Sequence, residues 1–115
     1  LQKMVKDKPD VVQRFVNATL EGWKSYLDNP APGNALIRQE NPKMEEELIA
    51  YSIKTMKQMK FLDGGDAATM GAGIMTDARW KATYDLMISS GQIKPVANWP
   101  QAYTLQFLKN LKAKP

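Results

Sequence analysis

TDARWKATYDLMISSGQI, residues 76–93, is the stretch whose reading decides the fold. Thr76 is a residue type that caps helices, because its hydroxyl can accept a hydrogen bond from a free N–H in the first turn. Asp77 places a negative charge at the positive end of the helix dipole. Trp80, Tyr84, Met87 and Ile88 then recur at helical spacing, so two aromatic and two aliphatic side chains share one face. Lys81 and Asp85 point elsewhere. Gly91 can take the left-handed conformation that closes a helix, and Ile93 is apolar again just beyond it. A helix this apolar on one side needs a partner surface, and the neighbouring segments are patterned to provide one.

Immediately upstream, LDGGDAATMGAGIM (residues 62–75) is the least regular stretch. It lacks the Gly-Lys-Ser/Thr ending of a phosphate-binding loop. Gly71-Ala72-Gly73 is followed by Thr76 where a dinucleotide fingerprint wants its third glycine, and no strand precedes it. It reads as a glycine-rich connector passing near a cleft. Before it, Pro42 to about Phe61 reads as a helix capped by Asn41, with Pro42 in first position. Glu45, Glu46 and Glu47 stand at its start and Lys54, Lys57 and Lys60 at its end, which suits the dipole at both ends. Consecutive glutamates do not share a face, so the dipole explains them better than a metal or acid–base site does. Leu48, Ile49, Ile53 and Met56 form the expected buried side.

Further towards the N-terminus, NPAPG (residues 29–33) breaks the chain twice over, and a short helix is expected from Asn34 to about Gln39. Ala35, Leu36 and Ile37 are its inward residues. The longest helix is expected from Pro9 to about Asp28, with Val12, Phe15, Val16, Leu20, Trp23 and Leu27 on its apolar face. Asp10 and Arg14 are spaced as a favourable ion pair. Gly22 and Ala18 make a smooth strip where another backbone could approach closely. Leu1 to Lys6 reads as a terminal helical turn, and Asp7 can cap the helix that follows. Downstream, Gln92 to Pro100 reads as a loop. Asn98 and Pro100 start a last helix with Tyr103, Phe107, Leu108 and Leu111 apolar, running to about Lys112, with Lys114-Pro115 frayed. No segment alternates with period two and β-branched enrichment. The expected architecture is all-α, one helical region over residues 1–115.

Composition narrows the function. At 43% hydrophobic and 24% charged, with three Trp, four Tyr and three Phe, the chain has enough apolar material for an ordered protein. It contains no Cys and no His, which excludes disulfides, Cys/His zinc sites and histidine acid–base catalysis within it. Sixteen basic residues against 12 acidic ones give a net charge of +4, spread along the chain rather than gathered into a stripe, so nucleic acid is not an expected partner. Apolar runs are too short to cross a membrane. The chain opens at Leu1 and not at Met, and upstream sequence, with any targeting signal, is expected to precede it.

Three stretches carry a family likeness. They are KPDVVQRFVNATLEGWKSYLDNPAPGNALI from Lys8 to Ile37, NPKMEEELIAYSIKTMK from Asn41 to Lys57, and GIMTDARWKATYDLMISSGQIK from Gly73 to Lys94, followed by AYTLQFL from Ala102 to Leu108. In this order they resemble the C-terminal portion of bacterial ABC-transporter substrate-binding proteins of the nitrate/sulfonate/taurine type. That group includes proteins similar to thiamine-pyrimidine synthases. The resemblance implies two α/β lobes that close on a ligand by a hinge motion, of which this chain is the helical C-terminal part. It implies a solute-binding, non-enzymatic role in the periplasm, with a small organic solute and an ABC permease as partners and without a cofactor or metal. The strands and most ligand-contacting loops lie outside the chain.

On this reading the Gly71–Met75 connector is the ligand-facing candidate, with Gly71, Gly73 and Met75 as its residues, and a plain linker is the other reading of it. Two alternatives stand beside transport. One is a fragment of a pyrimidine-precursor enzyme of related fold, which requires catalytic residues this chain does not contain. The other is a free-standing helical interaction module. Helices meant to lie on a sheet leave Phe15, Trp23, Trp80 and Tyr84 to be buried some other way. At about 25 cal/mol per Å² of apolar surface, leaving them wet costs several kcal/mol. Self-association, with exchange of helices between copies as one route, is therefore expected.

Overall fold

A computed structural model describes residues 2–109. It is all-α: the described residues contain six α-helices and two 3₁₀ turns and no strand. The Leu111–Lys112 end of the expected last helix, and the frayed Lys114-Pro115, lie outside the described residues. The chain divides into two compact units, residues 1–64 and residues 65–115.

The first unit holds α1 (Gln2–Asp7), α2 (Pro9–Asp28), α3 (Ala31–Glu40) and α4 (Glu46–Gln58). Helix α1 packs on α2, and α2 on α3. The long helix has the bounds its sequence predicts. Pro9 occupies its first turn, where a missing N–H costs nothing, and Asp10 pairs with Arg14 at 3.3 Å. Both partners are about three-quarters exposed, so the pair contributes little. The Tyr26 hydroxyl donates to Asn34 Oδ1 at 2.8 Å and so ties α2 to α3. Arg38 reaches Glu46 at 3.3 Å, linking α3 to the start of α4.

Helix α3 begins at Ala31, three residues before the expected start. Only Asn29-Pro30 breaks the chain; Pro32 and Gly33 lie inside the first turn, where N–H groups have no intrahelical acceptor and proline removes no bond. The Asn29 side-chain oxygen accepts from the Ala31 N–H at 3.3 Å. Helix α4 starts later than expected. Asn41 and Pro42 do not cap it. They open a turn closed by the Met44 N–H on the Asn41 carbonyl at 2.9 Å, with Pro42 at the second position that such turns favour. Glu45 stands at the N-cap without a side-chain cap bond. The helix ends at Gln58 and not at Phe61, because Lys60 turns into the left-handed region at φ 51°.

The second unit holds α5 (Ala67–Met70), a single turn within the glycine-rich connector, and α6 (Asp77–Ser89). Thr76 caps α6 as expected, accepting from the Arg79 N–H at 3.3 Å. Gly91, at φ 71°, closes it: the Gly91 N–H reaches the Ile88 carbonyl at 3.0 Å and the Gln92 N–H reaches Met87 at 2.9 Å, the paired bonds of a Schellman ending. The expected α-helix after Pro100 is absent from the described residues. In its place stand 3₁₀ turns at Trp99–Ala102 and Gln106–Leu108, with Tyr103 extended between them. Ring packing against α6, described below, overrides local helix preference there.

Burial is sparse. Among the described residues the buried apolar side chains are Ile49 in the first unit, and Phe107 and Leu108 in the second. The expected apolar faces are otherwise open or half-open: Phe15 is 71% exposed and Trp23 42%. Leu48, expected inward, is 52% exposed, and Leu36 62%. The strip at Gly22 and Ala18 has no backbone against it, since nothing lies within 4 Å of where a Gly22 Cβ would be. The close approach falls instead at Gly33, where an added Cβ would meet the Tyr26 ring at 2.7 Å.

Candidate functional site

The Gly71–Met75 connector lies in the second unit between α5 and α6. Gly71 is buried and ends α5, with its N–H on the Ala67 carbonyl at 3.0 Å. Its φ of 100° and ψ of 152° lie in a region that essentially only glycine occupies. Gly73 also has positive φ, at 81°. Both glycines therefore do backbone work, turning the chain from α5 towards α6. Neither lines the hollow beside the connector. Met75, 37% exposed, does.

That cavity is an open hollow of about 550 Å³ walled by Thr69, Met70, Ile74, Met75, Thr76 and Asp77 from the connector and the head of α6. Leu105, Leu108 and Lys109 complete it from the C-terminal segment. Most of the wall is apolar, and two of its members are flexible methionines that adapt to irregular surfaces. Apart from Lys109, its polar side chains are already engaged. The Thr76 hydroxyl accepts from the Arg79 N–H and donates to Asp66 Oδ2 at 3.1 Å. The Thr69 hydroxyl donates to the Asp66 carbonyl at 3.4 Å. Asp77 Oδ1 accepts from the Tyr103 hydroxyl. A hollow of this kind offers apolar contact and one lysine amine, with few free donors or acceptors to orient a polar solute.

Sequence reading missed the aromatic ladder that holds the hollow's far wall. Trp80 stacks on Tyr103 with centroids 4.6 Å apart, and Tyr84 stacks on Trp99 at 4.8 Å. Trp99 and Tyr103 lie 6.4 Å apart, which joins the two pairs. The Tyr84 hydroxyl adds a clasp, accepting from the Val96 N–H at 2.8 Å and donating to the Val96 carbonyl at 3.2 Å. The ladder clamps residues 96–103 along α6. The signal available in sequence was the presence of Trp99 and Tyr103 after a loop that follows a Trp/Tyr-bearing helix. Periodicity assigned Tyr103 to a helix of its own instead.

The environment of Tyr103 is electrostatically distinct. Its hydroxyl ionises above the ordinary value of 10.0, first because of its hydrogen bond to Asp77, then through desolvation, then through the nearby carboxylate charge. No group of three or more His, Cys, Asp or Glu side chains among the described residues could hold a metal ion. No helix among them is long and apolar enough to cross a membrane.

No family model matches the chain, and no solved structure matches it. The chain is similar to the riboflavin-binding protein RibY of Chloroflexus aurantiacus, with 23% identity over 108 residues, 93% of this chain. It spans 31% of the length of that relative.

Proposed function

We propose that this chain is the helical portion of a solute-binding component of a bacterial ABC importer, which captures a small organic solute in the periplasm and delivers it to a membrane permease. The observation that carries the reading is the likeness to RibY, which runs through nearly the whole chain. The geometry is in keeping with it. Both units present apolar helix faces that they do not bury themselves, as covering elements do. The hollow beside Met75 has little free polar chemistry, so the solute is held mainly by parts of the protein beyond this chain. No step of the reading needs catalysis. Riboflavin, named for the relative, is the first solute to test.

The test uses the complete gene product that carries this chain, purified without ligand and heated with increasing riboflavin. A solute that binds the folded state raises the melting temperature with concentration. The stabilisation reaches about 2.7 kcal/mol at one hundred times the dissociation constant. Saturable stabilisation by riboflavin, or by another member of a panel including sulfonates, nitrate and pyrimidines, supports the reading. A flat response across the panel overturns it.

A further inference from the structure

The rings of Trp80, Tyr103, Trp99 and Tyr84 follow one another in contact order, with centroids 4.6, 6.4 and 4.8 Å apart. All four residues are half-buried. Rings at these separations have their π-systems at or near contact, and an electron passes readily between them. The chain has no Cys, so indole and phenol are the side chains that give up a single electron most easily.

Where the missing electron settles depends on a proton. A phenol that loses an electron becomes a strong acid, and the vacancy stays on it only if the hydroxyl proton leaves. The two tyrosines of the ladder differ in this respect. The Tyr84 hydroxyl faces the Val96 backbone, donating to the carbonyl at 3.2 Å and accepting from the N–H at 2.8 Å, and neither group takes up a proton. The Tyr103 hydroxyl donates to a carboxylate, Asp77 Oδ1, which does. Chiefly because of that bond, Tyr103 ionises above the ordinary value of 10.0, so at neutral pH the proton is present to be moved. The first unit supplies a contrast. Trp23 and Tyr26 lie edge to face at 6.3 Å, but the Tyr26 hydroxyl donates to the amide oxygen of Asn34 at 2.8 Å. An amide accepts a hydrogen bond without taking the proton.

We propose that the ladder is a one-electron relay that ends on Tyr103, with Asp77 as the proton acceptor. A one-electron oxidant, a small inorganic radical for example, takes an electron from Trp80 or Trp99 and leaves an indole radical cation. The indole regains an electron from the Tyr103 ring. In the same step the Tyr103 O–H bond breaks and an O–H bond forms on Asp77 Oδ1. The products are neutral tryptophan, a neutral phenoxyl radical on Tyr103 and protonated Asp77. One electron has passed to the oxidant, one proton has moved within the pair, and no atom is gained or lost. The relay does not rest on the solute-binding reading, and either can fail without the other.

The test is pulse radiolysis of the 115-residue chain with the azide radical, which oxidises indole in preference to other side chains at neutral pH. The indolyl radical absorbs in the green and the phenoxyl radical in the violet, so transfer is read as loss of one band and rise of the other. The wild type shows a fast first-order phase whose rate does not depend on protein concentration. That phase is slower in heavy water, because an O–H bond breaks in it. Tyr103→Phe removes it, and Tyr26→Phe leaves it unchanged. Asp77→Asn keeps an acceptor oxygen but cannot take the proton, and slows the phase by about a hundredfold or more, the low end of what a positioned proton acceptor contributes. Near-ultraviolet circular dichroism equal to the wild type keeps a lost ring stack from imitating the result. Should Asp77→Asn unstack the rings, Tyr103→Phe and the heavy-water comparison on the wild type decide the question. A wild type without the fast phase, equal rates in light and heavy water, or a fast phase that survives Tyr103→Phe or a correctly stacked Asp77→Asn overturns the proposal.

Discussion

Trp80 and Tyr103 lie face to face, with ring centroids 4.6 Å apart and planes within 3° of parallel. The same tyrosine donates its hydroxyl hydrogen to Asp77, one turn earlier on α6. A single side chain thus holds the C-terminal segment to the helix by its face and by its tip. Aromatic pairs of this kind are worth about 0.5–1.5 kcal/mol beyond the area they bury. The effect of the contact on Tyr103 is open to direct titration.

The native state keeps the Tyr103 proton to higher pH than the unfolded chain does, since its pKa lies above the ordinary 10.0. Its contribution to stability is therefore complete below the unfolded value and is lost as pH rises through the folded one. Ultraviolet absorbance of the phenolate, taken as the difference from Tyr103→Phe, isolates this group. Asp77→Ala removes the leading cause and is expected to bring the midpoint down towards 10.0. An unmoved midpoint would show that the hydrogen bond to Asp77 is not what holds the proton.

Thr76 is the side-chain cap of α6 and also the donor to Asp66. Thr76→Ala is expected to cost about 1 kcal/mol or somewhat more, within the 0.5–2 kcal/mol range of lost caps. Thr76→Ser should restore most of it. Urea unfolding of both variants gives the comparison; equal losses would rule out the hydroxyl as the source.

Two glycines of the first unit should respond oppositely to alanine. At Gly22 nothing lies within 4 Å of an added Cβ, and the position is inside α2. Gly22→Ala is expected to stabilise by about 0.8–1 kcal/mol through helix propensity. At Gly33 the new methyl would meet the Tyr26 ring at 2.7 and 2.9 Å, and that ring is held by its bond to Asn34. Gly33→Ala is expected to destabilise. Thermal melts with the same sign for both would contradict the packing of α2 on α3 described above.

Lys60 ends α4 in the left-handed region, at φ 51°, where a Cβ is penalised. Lys60→Gly is expected to gain about 1 kcal/mol in stability. Lys60→Ala should gain nothing comparable, which separates backbone relief from loss of charge. A gain of the same size in both would assign the effect to charge.

Local signals accounted for much of the fold. Pro9 and Asn29-Pro30 bound α2, and Thr76 and Gly91 bound α6, because caps and breakers act on backbone groups within a turn of themselves. The same logic failed at Asn41-Pro42. That dipeptide suits the start of a helix and the start of a tight turn equally, and the turn took it. It failed again after Pro100, where Tyr103 and Phe107 have helical spacing but the rings of Trp99 and Tyr103 are committed to α6. The candidate site was legible in part. Glycine content singled out the Gly71–Met75 connector, yet only Met75 of the three candidates reaches the hollow. Its other wall, Leu105, Leu108 and Lys109, comes from a distant stretch with no motif to announce it.

The amino-acid order by itself determined that the described chain is helical, where α2 and α6 begin and end, and which charges face each helix end; the cap expected of Asp7 did not form, because Asp7 closes α1 and Lys8 stands at the start of α2 without a side-chain cap bond. These follow from interactions among residues a few positions apart. Only the tertiary structure decided which apolar stripes are covered. Ile49 is buried while its neighbour Leu48 is open, and Trp80 is matched by Tyr103 while Phe15 has no cover. Spacing along a helix states that a side is apolar; what lies against that side depends on contacts between distant residues, which periodicity does not encode.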